Sequence, residues 1–347
     1  MDVGWFTTTN LLRRLLKSPD AEPHVRVPSA ESGAPTDPYT QSLGTNMQLP
    51  ENEHGHDYYV GDIHGELGLL QVSLDEVGFV YGRDRLISVG DLISRGPDSL
   101  GVVELFLNEP GFYFTPGNHE VMLLNVVTRA DEERRWDWEL RYGSWFSDIS
   151  VDQQNRVVEF LSAAPLAIEV GQRAGLPIGV THADWPSDKP FGTELDMEVA
   201  VELAFSEPTS YDAPPEQIAT WSRLRADGMR RIKIDPNAKA TSRKDARIAI
   251  ASTEPVSGVR ELIVGHNPQK GRQPAAIANV LFLDSAVTAR NGALTLYRPD
   301  LMQCYVRPKR AARKEPAWID RPCAIEAPGW SSRTTHSQGT IPRGPAG

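Results

Sequence analysis

Six short apolar runs, five of which end in a polar motif, are the feature that most limits how this chain can fold. Their length suits buried strands, and apolar residues recur at helical spacing after the first motif, as in Leu67, Leu70 and Leu74. Strands that alternate with helices predict an α/β fold whose polar loops converge at the carboxyl ends of the strands. The six runs are Tyr58–Val60, Leu86–Val89, Phe112–Thr115, Ile178–Val180, Leu262–Val264 and Val280–Leu283.

Length and charge narrow the class of protein. With 347 residues, the chain can form one large domain or two small ones. Its net charge of −10 argues against general binding to nucleic acids or membrane surfaces, which require basic surfaces. We find no apolar stretch of the roughly 20 residues that span a bilayer. Two cysteines, Cys304 and Cys323, make no disulfide framework, which favours a cytoplasmic location.

Composition divides the chain into three parts. Residues 1–56 are predicted to be a flexible leader, because much of this stretch is rich in Pro, Ser, Glu, Thr and Gly and shows little periodicity. Residues 57–300 hold all the motifs and are predicted to form the catalytic domain. Residues 301–347 are predicted to be an irregular C-terminal tail. Within the central part, the basic segment 225–248 is interpreted as an inserted, solvated loop.

The motifs supply oxygen and nitrogen ligands of the kinds that bind transition metals. They are GDIHG at 61–65, GDLISRG at 90–96, GNHE at 117–120, THADWP at 181–186 and GHNP at 265–268. Carboxylate, amide and imidazole groups together suit Mn, Fe or Zn. Two such ions about 3.5–4 Å apart can activate a water and bind phosphoryl oxygens at the same time. The sequence therefore favours a dinuclear site for hydrolysis of a phosphate ester.

Each motif alone has an ordinary structural explanation. The Asp of an Asp-x-His turn often caps a helix, and a lone His at a strand end is more often structural than a ligand. Their coincidence at five predicted strand ends in one domain is what favours a metal centre. Within the fourth motif, Asp184 is expected to fix a loop by hydrogen bonding, and Trp185 is expected to pack in the core.

The five motifs, with Trp221-Ser222-Arg223, resemble the PPP-type serine/threonine protein phosphatases of the calcineurin-like metallophosphoesterase fold. The phage lambda-type and bacterial subgroup is the most similar, and the resemblance covers about residues 57–300. It implies an α/β sandwich of two mixed β-sheets flanked by α-helices. It also implies a phosphorylated protein or peptide as substrate, with serine and threonine phosphates expected and tyrosine phosphates left open.

The resemblance also implies a role for each motif residue. Two divalent ions, with Mn²⁺ expected and Fe or Zn as alternatives, would be held by Asp62, His64, Asp91, Asn118, His182 and His266, with Asp91 bridging. A water bound to both metals would attack phosphorus directly, without a phosphoenzyme. His119 would be the general acid that protonates the leaving alkoxide, and Arg95 and Arg223 would bind the phosphate oxygens. Guanidinium groups fit this task because they bind phosphate bidentately.

One position departs from the family pattern. Ser94 stands where the protein phosphatases carry an Asp that pairs with the catalytic histidine. A carboxylate stabilises the imidazolium and fixes its tautomer, whereas serine carries no charge. We therefore expect the His119 imidazolium to have a lower pKa than in the relatives that carry the Asp, so that less of it is protonated and able to act as the general acid.

Two other functions stay open on the sequence. Symmetrical dinucleoside tetraphosphate hydrolases share the fold and carry a small neutral residue at the Ser94 position, and their nucleotide leaving group needs less protonation. Glu120 and the segment Ala183–Pro186 favour the phosphoprotein function over this one. A non-catalytic binding module is the other alternative, and the complete ligand set argues against it.

Overall fold

The computed structural model describes residues 46–325, apart from 130, 187, 235–252, 270 and 311–314. Two β-sheets form its centre, one of seven strands and one of six. The strands are β1 (Asn46–Leu49), β2 (Asp57–Val60), β3 (Arg85–Ser88), β4 (Phe112–Phe114), β5 (Ala167–Val170), β6 (Ile178–Val180), β7 (Glu261–Val264), β8 (Ala275–Ile277), β9 (Val280–Phe282), β10 (Ala293–Arg298), β11 (Gln303–Pro308), β12 (Ala317–Asp320) and β13 (Ala324–Ile325). The six predicted apolar runs lie in β2, β3, β4, β6, β7 and β9.

Helices connect the strands, and a π-helical turn lies among them. The α-helices are α1 (Leu67–Glu76), α2 (Ser99–Asn108), α3 (Asn118–Thr128), α4 (Glu132–Trp138), α5 (Ser144–Ser147), α6 (Val151–Ser162), α7 (Met197–Glu202), α8 (Pro215–Trp221) and α9 (Leu224–Ile234). The π-helical turn, Glu139–Gly143, joins α4 to α5. None of the described helices has the length and apolar character needed to cross a bilayer.

The sheets pack face to face, and helices cover their outer faces. The seven-stranded sheet has the order β1-β5-β6-β7-β9-β8-β13, and the six-stranded sheet has the order β12-β11-β10-β2-β3-β4. Side chains alternate along each strand, so that Tyr59 and Ile263 belong to one core cluster formed by both sheets. Tyr58 and Leu262 belong to a second cluster, which the helices share. The fold is thus the predicted α/β sandwich of two mixed sheets.

Parallel pairing brings the motif-bearing strand ends together. In one sheet, β2 pairs with β3 and β3 with β4 in parallel. In the other, β6 pairs with β7 and β7 with β9 in parallel. Because the carboxyl ends of parallel strands lie at one edge of a sheet, the motifs of each sheet emerge side by side.

The predicted irregular tail, 301–347, is wrong for three segments. Strand β11 pairs with β10 along its whole length, β12 pairs with β11, and β13 pairs with β8. Strand β11 alternates in burial pattern because Cys304 and Val306 join the core between the sheets while Tyr305 joins the helix-covered core. The sequence analysis overlooked this period of two.

Two other predicted boundaries also move. Strand β1, placed in the leader, pairs in parallel with β5, so the fold begins before residue 57. Most of the leader, residues 1–45, lies outside the described residues, as do 326–347. The supposed loop at 225–248 begins as helix α9, in which Arg225 is only 1% exposed. Its residues 235–248 are not among those described.

Candidate active site

The predicted metal ligands converge around Asp91 at the end of β3. One carboxylate oxygen, Oδ2, lies 3.4 Å from His64 Nε2. The other, Oδ1, lies 3.5 Å from His182 Nε2. Asp91 therefore stands between an imidazole from each sheet, which is the position that a bridging ligand would occupy.

The remaining ligands complete a continuous polar cluster. The Asn118 side-chain oxygen lies 3.2 Å from His182 Nε2 and 2.9 Å from His266 Nδ1. Asp62 accepts a hydrogen bond from the His266 backbone N–H at 3.0 Å. All of these side chains are buried. The six predicted ligands thus meet at one site.

Backbone carbonyls set the orientation of two of the imidazoles. His64 Nδ1 lies 3.1 Å from the Ile93 carbonyl oxygen, and His182 Nδ1 lies 2.9 Å from the Val89 carbonyl oxygen. A carbonyl only accepts hydrogen bonds, so Nδ1 carries the proton in both rings. The Nε2 lone pairs therefore point towards Asp91, as they would to bind a metal.

Strained backbone accompanies these side chains. Five non-glycine residues of the site have positive φ angles: His64 (48°), Asp91 (50°), Ser94 (75°), Arg95 (69°) and His266 (59°). Such conformations cost about 1–3 kcal/mol each and persist where the surrounding structure enforces them. The loops are therefore held in shapes that serve the cluster rather than their own stability.

The motif glycines let backbone approach the carboxylates closely. A Cβ on Gly117 would stand 2.2 Å from Asp91 Oδ1, and a Cβ on Gly265 would stand 2.0 Å from Asp62 Oδ1. Real side chains do not tolerate such contacts. Glycine is required at these positions because the polar groups fill the space a side chain would occupy.

Burial perturbs the ionisation of the whole cluster. Desolvation raises the pKa of Asp91 to about 7 and that of Asp62 well above its usual value. It lowers the pKa of His64 to about 3 and that of His182 to about 4. Divalent cations would stabilise the ionised carboxylates and accept the imidazole lone pairs, so this donor set fits two metal ions.

The three predicted substrate-binding and catalytic residues lie beside this cluster. Arg95 places a guanidinium nitrogen 3.1 Å from His64 Nε2. His119 donates its backbone N–H to Asp91 Oδ1 at 3.1 Å, and its imidazole is buried. Arg223 is 39% exposed and pairs with Glu207 at 3.3 Å, so it lies at the rim.

A sequence-family model for calcineurin-like phosphoesterases matches residues 58–269, which includes every motif. The chain belongs to the calcineurin-like phosphoesterase family. It is similar to serine/threonine-protein phosphatase 2 of Escherichia coli (strain K12), with 38% identity over 153 residues, covering 43% of this chain and 68% of that protein. The corresponding Salmonella typhimurium protein is 33% identical over 147 residues, covering 41% of this chain and 65% of the relative. The predicted resemblance to bacterial protein phosphatases is confirmed.

A second group of relatives carries another name. The symmetrical bis(5'-nucleosyl)-tetraphosphatase of Shewanella putrefaciens is 28% identical over 186 residues, covering 52% of this chain and 65% of that protein. The chain therefore spans about two thirds of the length of each of these relatives. The names of the two groups specify different phosphate compounds.

Sequence analysis gave no role to two buried acids of this phosphoesterase. Glu120 accepts hydrogen bonds from the backbone N–H groups of Asp91 (2.9 Å) and Gly117 (2.7 Å), so it fixes two ligand loops at once. Asp284 follows β9, accepts the Ala286 N–H at 2.7 Å and, by its charge, raises the pKa of Asp62. The apolar run that precedes Asp284 resembles those before the ligands, and that signal could have identified it.

The remainder of the fourth motif has the structural role that was expected. Asp184 Oδ1 accepts hydrogen bonds at 2.8 Å from Arg225 Nε and from the Trp185 backbone N–H. Its Oδ2 accepts the Tyr211 hydroxyl, also at 2.8 Å. Trp185 is fully buried in the core. This network holds the loop that carries His182.

Proposed function

We propose that the protein hydrolyses phosphomonoesters on proteins, chiefly phosphoserine and phosphothreonine, with the aid of two divalent metal ions. The observation that carries the proposal is the convergence of six ligand side chains around Asp91. Similarity to bacterial protein phosphatases at 33–38% identity supports the choice of substrate.

The proposed metal positions follow from the two sheets. Asp62 and His64 would hold one ion, and Asn118, His182 and His266 would hold the other, with Asp91 between them. Divalent ions in such a site lower the pKa of a water molecule and stabilise the negative phosphoryl oxygens. Mn²⁺ is the expected metal, and the same ligands also suit Fe or Zn.

The chain's own residues would bind and protonate the substrate. Arg95, inside the cluster, and Arg223, at the rim, carry the positive charge that a phosphate group needs for binding. His119 would hold a proton at a ring nitrogen and give it to the leaving oxygen. An alkoxide leaves poorly without such a proton, and general acids typically contribute about 10²–10⁴-fold to the rate.

A dinucleoside tetraphosphate is the second candidate substrate, and a specific observation favours it. Among the described residues, neither His119 ring nitrogen has a hydrogen-bond partner, and the Ser94 hydroxyl has none either. Within the part of the chain that the structure describes, no side-chain carboxylate therefore accepts a hydrogen bond from the His119 ring. A nucleotide phosphate is a better leaving group than an alkoxide and needs less protonation. The tetraphosphatase relatives at 28% identity agree with this alternative.

A side-by-side assay decides between these substrates. The Mn-loaded protein is given a phosphoserine peptide, a phosphotyrosine peptide and diadenosine tetraphosphate at equal concentrations. The proposal expects the highest kcat/KM on the phosphoserine peptide, and His119→Asn should lower it most strongly there. Preference for the dinucleotide would replace the proposal with the alternative. Absence of hydrolysis and of bound metal would revive the non-catalytic interpretation, with Asp91→Asn as the inactive control.

A further inference from the structure

The His119 ring is buried and is contacted by two aromatic rings. The His64 ring lies 4.9 Å away between centroids at an interplanar angle of 84°. The Tyr142 ring lies 4.9 Å away at 87°. Edge-to-face contacts of this kind favour one orientation of the ring and restrict how it can turn.

Tyr142 also contacts the predicted phosphate-binding arginine. The Arg95 guanidinium carbon lies 5.6 Å from the centroid of the Tyr142 ring, within the range of a cation–π interaction. One phenol ring therefore touches both His119 and Arg95. Tyr142 itself is uncharged, so it orients these two groups without adding a charge to the site.

The local backbone explains how Tyr142 reaches the site. It lies on the π-helical turn Glu139–Gly143, and such turns often occur at functional sites. Trp138, at the end of α4, is only 1% exposed, and a Cβ on Gly143 would stand 2.0 Å from its indole. The buried indole and the missing side chain at Gly143 hold the turn against the core. The anchored turn presents Tyr142 to the ligand loops.

We propose that Tyr142 is a positioning residue that orients the His119 imidazole and the Arg95 guanidinium in a site where serine replaces the usual carboxylate. The inference rests on the proposed role of His119 as the general acid. An aromatic contact orients the ring without the electrostatic support of a carboxylate. Tyr142 should therefore matter most for substrates whose leaving group needs a proton.

The test compares leaving groups in variants of the full-length, Mn-loaded protein. Tyr142→Leu should lower kcat on a phosphoserine peptide about 10-fold or more, and kcat on p-nitrophenyl phosphate by no more than about 3-fold, because nitrophenolate leaves without a proton. KM for both substrates should rise through Arg95. Tyr142→Phe keeps the ring and should stay within about 2-fold of the native protein on both. Leu140→Ala, on the same turn but 69% exposed, is the matched control and should change neither.

Two outcomes would overturn the inference. One is an equal loss on both substrates in Tyr142→Leu, and the other is a loss in Tyr142→Phe as large as in Tyr142→Leu. If Tyr142→Leu fails to retain metal, Tyr142→Met, an unbranched side chain that adapts to the same space, is judged by the same ratio.

A second background separates this inference from the proposed function. In His119→Asn, the further change Tyr142→Leu should no longer alter the ratio of the two kcat values. If His119→Asn itself leaves phosphoserine hydrolysis intact, the proposed acid is wrong. If His119→Asn lowers it and Tyr142→Leu does not, only the role of Tyr142 fails.

Discussion

Two buried polar clusters lie close together in this fold, and they differ in how their polar groups are paired. Around Asp184, Arg225 and Tyr211 donate hydrogen bonds to both carboxylate oxygens, and the ion pair is only 1% exposed on each side. Around Asp91, the described carboxylates and imidazoles lie close together, and they are not matched one to one by charged or hydrogen-bonding side chains as Asp184 is. Within the described residues, neither ring nitrogen of His119 has a hydrogen-bond partner.

This difference in pairing distinguishes a structural cluster from a candidate functional one. Buried polar groups are nearly always hydrogen-bonded, so an unpaired set must bring an advantage elsewhere. Perturbed pKa values gather at functional sites for the same reason. The Asp184 cluster holds a loop in place, whereas the side chains of the Asp91 cluster are a donor set that fits metal ions.

Asp91→Asn should abolish function without unfolding the protein. We expect kcat/KM on a phosphoserine peptide to fall by about 10³-fold or more, because the change removes a charge placed between both metal positions. The metal-free variant should melt at the same temperature as the metal-free native protein or higher, since a buried carboxylate with a raised pKa is a poor contributor to stability. Lower stability with retained activity would show that Asp91 is a structural residue and not a bridging metal ligand.

Arg225→Met should lower the stability of the protein and leave its metal binding intact. It leaves the Asp184 carboxylate buried without its cation, which typically lowers the free energy of unfolding by about 3–5 kcal/mol. Chemical denaturation of the metal-free protein measures the loss. Exposed Arg83→Met is the matched control and should stay within about 0.5 kcal/mol of the native value. The pair of clusters would not differ as described if Arg225→Met were as mild as this control.

Ser94→Asp should restore the carboxylate that the family pattern places beside the catalytic histidine. The backbone at residue 94 has a φ of 75°, a region that Asp adopts more readily than most residues, so the loop should tolerate the change. We expect kcat on alkyl phosphates to rise by about 3–10-fold, with less change on p-nitrophenyl phosphate. Ser94→Asn matches the shape without the charge and should give no gain. A lower turnover with intact metal content would argue against the role given to this position.

Charge reversal at Arg230 is expected to have the smallest effect. Arg230 is 38% exposed, pairs with Asp227 and donates at 3.2 Å to the carbonyl oxygen of Pro268, the last residue of the fifth motif. If helix α9 helps to bind acidic phosphopeptides, Arg230→Glu should raise their KM by about 2–3-fold and leave p-nitrophenyl phosphate unchanged. An equal change on both substrates would mean that the residue only supports the loop.

The sequence predicted those parts of the molecule whose physics is local. Apolar runs of strand length predicted β2, β3, β4, β6, β7 and β9, and their polar ends predicted the ligands. Convergence could be predicted because parallel strands end at one edge of a sheet. Strand β11 was missed, although Cys304, Tyr305 and Val306 alternate between two cores, because no motif drew attention to it.

The rest of the site depends on contacts between distant segments. Tyr142 contacts His119 because it lies on a π-helical turn, and the local sequence contains no pattern that predicts such a turn. The Glu120 bond to the Gly117 N–H is a local contact at the start of helix α3, but its bond to the Asp91 N–H joins segments 29 positions apart and depends on the fold. Arg225 was interpreted as solvated because charged residues usually are, and its burial depends on Asp184, 41 positions away.

Metal content measured together with activity tests whether the Asp91 cluster is a dinuclear catalytic centre. The native protein, loaded with Mn²⁺ and freed of excess ion, should bind two ions per chain by elemental analysis and hydrolyse a phosphoserine peptide. His64→Ala and His266→Ala should each lose an ion and nearly all activity, while Arg225→Met should keep both ions. A native protein that hydrolyses the peptide without bound metal, or that keeps its metal when both histidines are replaced, would contradict the account.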